Sequence, residues 1–351
     1  MKIFMLIKKL RYCGAFKMFM WLADALCKQG HSVTIMTFMP NDVNELNPNI
    51  NWIKHDELAN KNIFQKIHII RREIKAINPD VSISFLLDAN VYNIFACLGC
   101  RTKSIVCERN DPFKPGYRVL QFWKPWFCLA KGAVFQLPRV KEYYDNIKSP
   151  TAVIPNPVLC NSKTNIKPFA ERCNIINILG RLDLFQKRHD VMIDAFFKFK
   201  KKYSDFKLVF YGDGPDKDKM KMQINKLGLS ESVIFGGVTD KPESMMAQSK
   251  MFVLTSDFEG IPNSLIEAMS LGLPCISTDC RPGGASLLID NNYNGFVVPP
   301  GNSDAIVNKM FWYMEHPEIA DEMGAKAKLI GEKFSEQKII NLWELYLNSL
   351  V

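Results

Sequence analysis

Leu254-Thr-Ser-Asp-Phe-Glu259-Gly260-Ile261-Pro262-Asn263-Ser264-Leu265-Ile266-Glu267-Ala268-Met269-Ser-Leu-Gly272-Leu273-Pro274 decides the fold. The apolar run Met251–Leu254 that leads into it reads as a buried strand. Thr255 to Pro262 reads as a loop. Asn263 is an expected N-cap, and Leu265, Ile266 and Met269 form one apolar face of a helix. Gly272 ends that helix, and Leu273 to Ser277 starts the next strand. A strand, a loop, a helix and a second strand in this order make a unit of a parallel α/β sheet.

The strand-to-helix junction carries the chemistry. A helix start presents main-chain N–H groups without intrahelical partners and a partial positive charge, so it suits an anion such as phosphate. The N–H groups of Asn263 and Ser264 and the Ser264 hydroxyl are candidates to face one. Glu259 precedes the helix and Glu267 lies one turn inside it. With a phosphate between them, one carboxylate can accept hydrogen bonds from a sugar and the other from a ribose. That arrangement suits a nucleotide diphosphate sugar.

Glu259-x7-Glu267 on a strand–loop–helix, followed by Ala268-Met269-x-x-Gly272-x-Pro274, resembles the donor-site motif of retaining glycosyltransferases of family 4. Two glutamates at that spacing alone are a weak signal. Phe258-Glu259-Gly260-Ile261-Pro262-Asn263 makes the match specific, and the resemblance brings Gly260 and Ile261 into the donor site with the two glutamates.

A second stretch supplies positive charge. Asn174 to Leu179 reads as a strand, and Gly180-Arg181-Leu182-Asp183-Leu184-Phe185-Gln186-Lys187-Arg188-His189-Asp190 as a loop opening a helix over 191–203. Arg181 offers a planar fork of donors and Lys187 a point charge, so the two can approach one pyrophosphate from two sides. Neutralising a departing diphosphate is the largest demand of glycosyl transfer. Gly-Arg-Leu…Lys is similar to the phosphate-binding pair of the same family. Arg188 and His189 receive no role. Gly212-Asp213-Gly214 is a weak dinucleotide signal, since position 217 is Lys, but the resemblance places this turn beside the donor. Asp216-Lys217-Asp218 reads as a helix start rather than a metal site, and no required metal is expected. Cys280-Arg281-Pro282-Gly283-Gly284 is a further Gly-rich turn expected beside the donor pocket.

Composition sets bounds. The 351 residues are 47% hydrophobic and 23% charged, enough for two α/β domains with substantial cores. No apolar run approaches the roughly 18 residues of a membrane span. The first seven residues read as a strand rather than a signal peptide, and a cytoplasmic protein is expected. Ten cysteines lack metal-ligand spacing; Cys97-x-x-Cys100 has no second pair. They read as free thiols in a reducing compartment. Residues 1–150 hold 22 Lys/Arg against 12 Asp/Glu, whereas the remainder is nearly balanced at 23 against 24. The excess points to an anionic partner of the first half, such as a membrane surface or a pyrophosphate-linked acceptor.

In that first half, Lys2–Ile7 reads as a strand, residues 8–14 as a loop ending in Cys13-Gly14, and 15–28 as a helix with Phe16, Phe19, Met20, Leu22 and Ala23 inward. Family members usually carry a Gly-Gly pair at Cys13-Gly14. Cys107-Glu108-Arg109-Asn110-Asp111-Pro112 leaves the C-terminal end of a strand, where α/β folds bind ligands. It is similar to the same segment in family enzymes of bacterial surface-polysaccharide and lipid-linked oligosaccharide pathways, which puts Gly14, Glu108, Arg109 and Asn110 on the acceptor side. Tyr117, Phe122, Trp123, Trp126 and Phe127 alternate with Lys114, Arg118, Lys124 and Lys131, a mixture that suits a membrane interface as well as a core. The polar stretch 161–169 reads as a linker. The last helix is amphipathic through Ile339, Ile340, Leu342, Trp343 and Leu345.

The resemblance implies the GT-B fold: α/β, two Rossmann-like doubly wound domains facing across a cleft. Residues 1–158 would bind the acceptor and 159–334 the nucleotide sugar, with 335–351 crossing back to the first domain. The implied activity is retaining transfer of a hexose or N-acetylhexosamine from a nucleotide sugar, UDP-linked donors being the first choice, to a glycan or polyprenyl-diphosphate-linked acceptor at the inner membrane surface. Glu259, Arg181 and Lys187 would be catalytic. Glu267, Asn263, Ser264, Gly260, Ile261, Gly212 and Gly214 would bind donor. The alternatives are a sugar-nucleotide epimerase on the same fold and a GDP-mannose-dependent transferase. A dehydrogenase is disfavoured by the missing third glycine, and a nucleic-acid-binding protein by the absence of a reading element.

Overall fold

The computed structural model describes residues 1–10, 14–43, 45–109, 111–113, 118–159, 166–239 and 242–351. The chain divides into two compact units, Met1–Asn156 with Gln337–Val351, and Pro157–Glu336.

The first unit is built on seven strands: β1 (Lys2–Ile7), β2 (Ser32–Thr37), β3 (Asn51–Lys54), β4 (Val81–Phe85), β5 (Lys103–Glu108), β6 (Gly132–Phe135) and β7 (Thr151–Val153). All pair in parallel, in the order β3-β2-β1-β4-β5-β6-β7. Continuous apolar strands such as Ile3–Ile7 are buried on both faces, as a helix-covered parallel sheet requires. The first helix, Gly14–Lys28, turns Met18, Phe19, Leu22, Ala23 and Leu26 inward. Phe19, Leu22 and Ala23 are buried as expected, whereas Phe16 and Met20 are only partly buried and Met18 and Leu26 complete the stripe. The last helix, Glu336–Leu350, packs within this unit. His31 Nε2 meets Glu344 Oε1 at 2.8 Å, and the Tyr346 hydroxyl donates to Pro150 O at 2.9 Å. Its inner face is Ile339, Ile340, Trp343, Tyr346, Leu347 and Leu350, while Leu342 and Leu345 are exposed, contrary to expectation.

The second unit carries β8 (Cys173–Leu179), β9 (Lys207–Tyr211), β10 (Val233–Gly237), β11 (Ser249–Leu254), β12 (Cys275–Thr278) and β13 (Phe296–Val298). They pair in parallel in the order β10-β9-β8-β11-β12-β13. The chain winds outward from β8 in one direction and from β11 in the other. β8 and β11 are therefore the neighbours at which the winding reverses, and the loops beyond their C-terminal ends define the binding crevice of a doubly wound sheet. Of the stretch read as a linker, 161–165 lie outside the described residues. Phe169 is no linker residue; it is buried in this unit's core, with its N–H donated to Asp321.

The helix Asn263–Leu271 starts one residue earlier than expected. Pro262, in extended conformation, occupies the capping position, and Asn263 is the first helical residue. Its buried surface is not one stripe: every residue from Leu265 to Leu271 is buried. The reason is a close backbone crossing with the helix Pro317–Lys328. A methyl group added to Gly324 would lie 2.2 Å from Gly272 O. Gly272 itself closes the helix in the left-handed conformation, φ 85°.

Candidate active site

The loops after β8 and β11 meet at the winding reversal. Loop Gly180–Arg188 is first fixed from below by the turn after β9. Leu182 N donates to Asp213 O at 3.1 Å, Asp216 N to Leu182 O at 3.1 Å, and Leu184 N to the Asp216 carboxylate at 2.9 Å. Main chain lies against main chain here. A methyl group at Gly212 would fall 2.0 Å from Gly180 O, and one at Gly214 2.4 Å from Leu182 O. The close approach that demands these two glycines is thus to the loop Gly180–Arg188 itself. Asp216 caps the helix Lys217–Lys226, and Asp218 pairs with Lys221 on its surface.

Loop Thr255–Pro262 is zipped to its neighbours on both sides. Toward β12, Glu259 N donates to Arg281 O at 2.7 Å and Arg281 N to Asp257 O at 3.1 Å. Gly284 packs so tightly there that a methyl group would meet Gly260 O at 1.8 Å. Toward β8, Asp257 N donates to Gln186 O at 2.9 Å and Gln186 Nε2 to Phe258 O at 3.0 Å. Phe185 and Phe258 meet edge to face. Arg188, left-handed at φ 48°, reaches Asp190 and, at 3.0 Å, Asp257.

These clamps bring the charged groups together. Lys187 Nζ lies 2.5 Å from Glu259 Oε1, and Ser256 Oγ donates to the same oxygen at 2.8 Å. Both side chains of the pair are largely buried. Lys187 also lies across Gly180, its Cε 3.3 Å from where a methyl group there would stand. Arg181 is exposed at the loop's start. Main-chain bonding of the helix begins with Leu265 N to Pro262 O at 3.1 Å, behind the half-buried Asn263 and Ser264. Glu267 is 7% exposed, one turn in. Cys280 sits beside Glu259 and Lys187, but burial pushes its thiol up to about 12, so it stays protonated and is no nucleophile. His189 is buried, which lowers it to about 4 and keeps its imidazole neutral near pH 7.

Gly14, Glu108 and Arg109 lie in the first unit. Gly14 is the exposed first residue of its helix. Glu108 is 1% exposed; it accepts from Arg109 N at 2.9 Å and from the Tyr144 hydroxyl at 3.2 Å. The Arg109 guanidinium lies 4.4 Å from the Phe85 ring centre and donates to Asn156. Asn110, like Cys13, Lys114 and Tyr117, lies outside the described residues. At the winding reversal of this unit, Lys8 pairs with Asp88 at 2.7 Å, and Leu86 adopts φ 73°, a strained conformation for a branched residue. Neither feature had a signal in the sequence. Arg188, His189, Thr255, Ser256 and Asp257 were likewise missed: Arg188, Thr255 and Asp257 act through a partner on the other loop, and His189 and Ser256 through a partner several positions away on their own.

Residues 162–330 match the family described as Glycosyl transferases group 1. Over 98% of this chain and 97% of its own length, a Campylobacter jejuni protein is 27% identical; it is named GalNAc-alpha-(1->4)-GalNAc-alpha-(1->3)-diNAcBac-PP-undecaprenol alpha-1,4-N-acetyl-D-galactosaminyltransferase. A Rickettsia africae glycosyltransferase structure superposes with TM-score 0.83 at 20% identity, covering 99% of this chain and 98% of that one. Anabaena HepE in complex with UDP and glucose superposes with TM-score 0.81 at 19% identity, covering 99% of this chain and all (100%) of that one. The chain is therefore a glycosyltransferase of the GT-B fold, with residues 162–330 matching the group 1 glycosyl transferases.

Proposed function

We propose that the chain is a family 4 enzyme that transfers a hexose or N-acetylhexosamine, with retention, from a UDP-sugar to a lipid-linked glycan. The observation that carries this reading is the Lys187–Glu259 contact at the mouth of β8 and β11. It sets a cation for a diphosphate and a carboxylate for sugar hydroxyls side by side. Arg181, Lys187 and the start of the helix at Asn263–Ser264 surround the departing diphosphate; Glu259 holds the sugar and Glu267 the ribose. No protein nucleophile is assigned. The acceptor attacks from the face the diphosphate leaves, and a phosphate oxygen takes the acceptor's proton. No divalent metal takes part. The names of the relatives support a lipid-linked acceptor and a UDP donor.

The acceptor would reach the chain at the inner membrane face through the first unit, with the protein peripheral there. No helix among the described residues is long and apolar enough to cross a membrane. Residues 112–141 carry six Lys/Arg and no Asp/Glu, and among them Phe122 and Trp126 are 67% and 45% exposed. Aromatic rings amid cations suit an anionic lipid surface.

The test incubates purified protein with radiolabelled UDP- and GDP-sugars, with and without polyprenyl-diphosphate glycans and EDTA. Sugar on the lipid product, α-linked and insensitive to EDTA, is expected from UDP donors. Conversion of the donor sugar with no acceptor present would instead identify an epimerase. Transfer from GDP-mannose alone would move the donor assignment.

A further inference from the structure

The two cations assigned to the diphosphate share a feature that their side chains do not reveal. Each has its main-chain oxygen held by a buried side-chain donor from elsewhere in the crevice. His189 Nε2 lies 3.0 Å from Arg181 O, and Thr255 Oγ1 donates to Lys187 O at 2.7 Å. Both donors are 1% exposed. A carbonyl oxygen only accepts, so Nε2 carries the imidazole proton and Nδ1 is the bare nitrogen. That Nδ1 is buried without a hydrogen-bond partner, which makes a second proton costly there. The ring is further fixed edge to face against Phe210 of β9, at 5.3 Å and 68°.

We propose that His189 and Thr255 are positioning residues for the donor diphosphate: they pin the main chain at Arg181 and Lys187 and so set the gap between the two cations. The proposal rests on the reading of these cations as diphosphate ligands. Arg181 and Lys187 are six positions apart on a loop whose own main-chain bonds, Asp183 N to Arg181 O at 2.9 Å and Lys187 N to Asp183 O at 2.8 Å, fold it on itself, and the two buried donors add ties that come from outside it. His189 reaches back from the first residue of the following helix, and Thr255 reaches across from the end of β11. Each ties one cation to a rigid element. Neither touches the diphosphate. A preorganised charge pair stabilises the leaving group without reorganising, and small errors in its placement are expensive in rate.

The test compares variants that remove the donor but keep the volume, His189→Phe and Thr255→Val, with variants that keep a donor, His189→Gln and Thr255→Ser. Binding of UDP, GDP, ADP and dTDP is measured by calorimetry on the full chain, with Tm alongside and Lys187→Ala as reference. For the nucleotide that wild type binds best, the Phe and Val variants are expected to bind roughly tenfold more weakly, with folded protein retained. The Gln and Ser variants should stay within about threefold of wild type. Phe and Val variants that bind like wild type, while Lys187→Ala loses binding, would overturn the positioning role and leave the diphosphate site standing. Failure of both Phe and Val variants to fold, with Gln and Ser folded, would make the two donors elements of the fold and overturn it equally. A wild-type chain that binds none of the four nucleotides would remove the reading on which the proposal rests.

Discussion

Lys187 and Glu259, 72 positions apart, form an ion pair at 2.5 Å. Under the proposed function, the cation assigned to the diphosphate is thus paired with the carboxylate assigned to the sugar hydroxyls. When the donor enters, the phosphate competes with Glu259 for Lys187, and Glu259 is released toward the sugar.

This makes opposite predictions for binding and transfer. Glu259→Gln removes the competitor, so affinity for UDP should rise, by about tenfold at most if one charge-assisted contact is involved. Transfer should fall by at least about a hundredfold, because the sugar loses its carboxylate. Lys187→Met should lose both. Calorimetry with UDP and a radiochemical transfer assay on the same three proteins separate these outcomes. Weaker UDP binding by Glu259→Gln would show that the pair does not compete with phosphate.

The glycines around the crevice divide by what surrounds them. Gly284→Ala forces a methyl group into Gly260 O and would push the Glu259 loop aside. It should cost about 1–3 kcal/mol, the usual penalty of overpacking, and weaken nucleotide binding. Gly331, in the helix Ile330–Lys333, has nothing within 4 Å of that position. Gly331→Ala should stabilise by about 0.5–1 kcal/mol, since alanine loses less chain entropy in a helix. Urea unfolding of the two variants beside wild type checks the contrast.

What could be read from the sequence and what could not follows from range. Met251–Leu254 and Gly272 mark a strand and a helix end through local rules, and Arg181, Lys187, Glu259 and Glu267 announce themselves by type and spacing. Which of them touch depends on β8 lying beside β11, a consequence of strand order that no local periodicity encodes. The motif assigned Lys187 and Glu259 to separate parts of the donor, whereas the strand order makes them partners. Gly212 and Gly214 show the same limit. Their spacing resembles a nucleotide turn, yet their tightest contacts are with the main chain of Gly180 and Leu182. The buried stripes of the first and last helices were misplaced for a simpler reason. Leu342 and Leu345 are as apolar as Leu347, and only the packed neighbour decides which side is covered.

His189 predicts a pH dependence of stability. Burial depresses it to about 4, aided by the charge of Lys187 and opposed by the Arg181 O contact and by Asp190 and Asp183. In the unfolded chain it titrates near its ordinary value of about 6.5. Above that value both states are neutral and the group contributes nothing. As pH falls from about 6.5 toward about 4 the unfolded state takes up a proton that the folded state refuses, so stability is lost in that window. The loss is about 1.4 kcal/mol per pH unit, or roughly 2 kcal/mol between pH 7 and pH 5. His189→Gln has no proton to take up. Its unfolding free energy should fall less than that of wild type between these two pH values, by about that amount. Parallel slopes for the two proteins would place His189 in a solvated setting.

The aromatic surface of the first unit gives the last prediction. Pro125 ends the helix Arg118–Trp123 and begins a 3-10 turn, Lys124–Leu129, which divides the rings into two sets. Phe127 turns inward and stacks on Tyr144, whereas Phe122 and Trp126 stay exposed, Trp126 leaning on Phe95. The inward ring is a core residue; the outward ones rest on neighbouring rings, Phe122 on Trp123 and Trp126 on Phe95, and keep exposed faces that can enter a lipid interface. Phe122→Ser with Trp126→Ser should therefore leave Tm within a few degrees and leave transfer to a short-chain, water-soluble acceptor unchanged. Vesicle affinity, read by sedimentation with phosphatidylglycerol vesicles, should drop by at least about thirtyfold, since each of the two rings removed gives up roughly 1–3 kcal/mol of apolar burial. Wild-type sedimentation should also weaken with added salt, through screening of the six cations of residues 112–141. Equal vesicle binding by wild type and the double variant would assign membrane contact to another surface. A large fall in Tm would instead mark the two rings as part of the core.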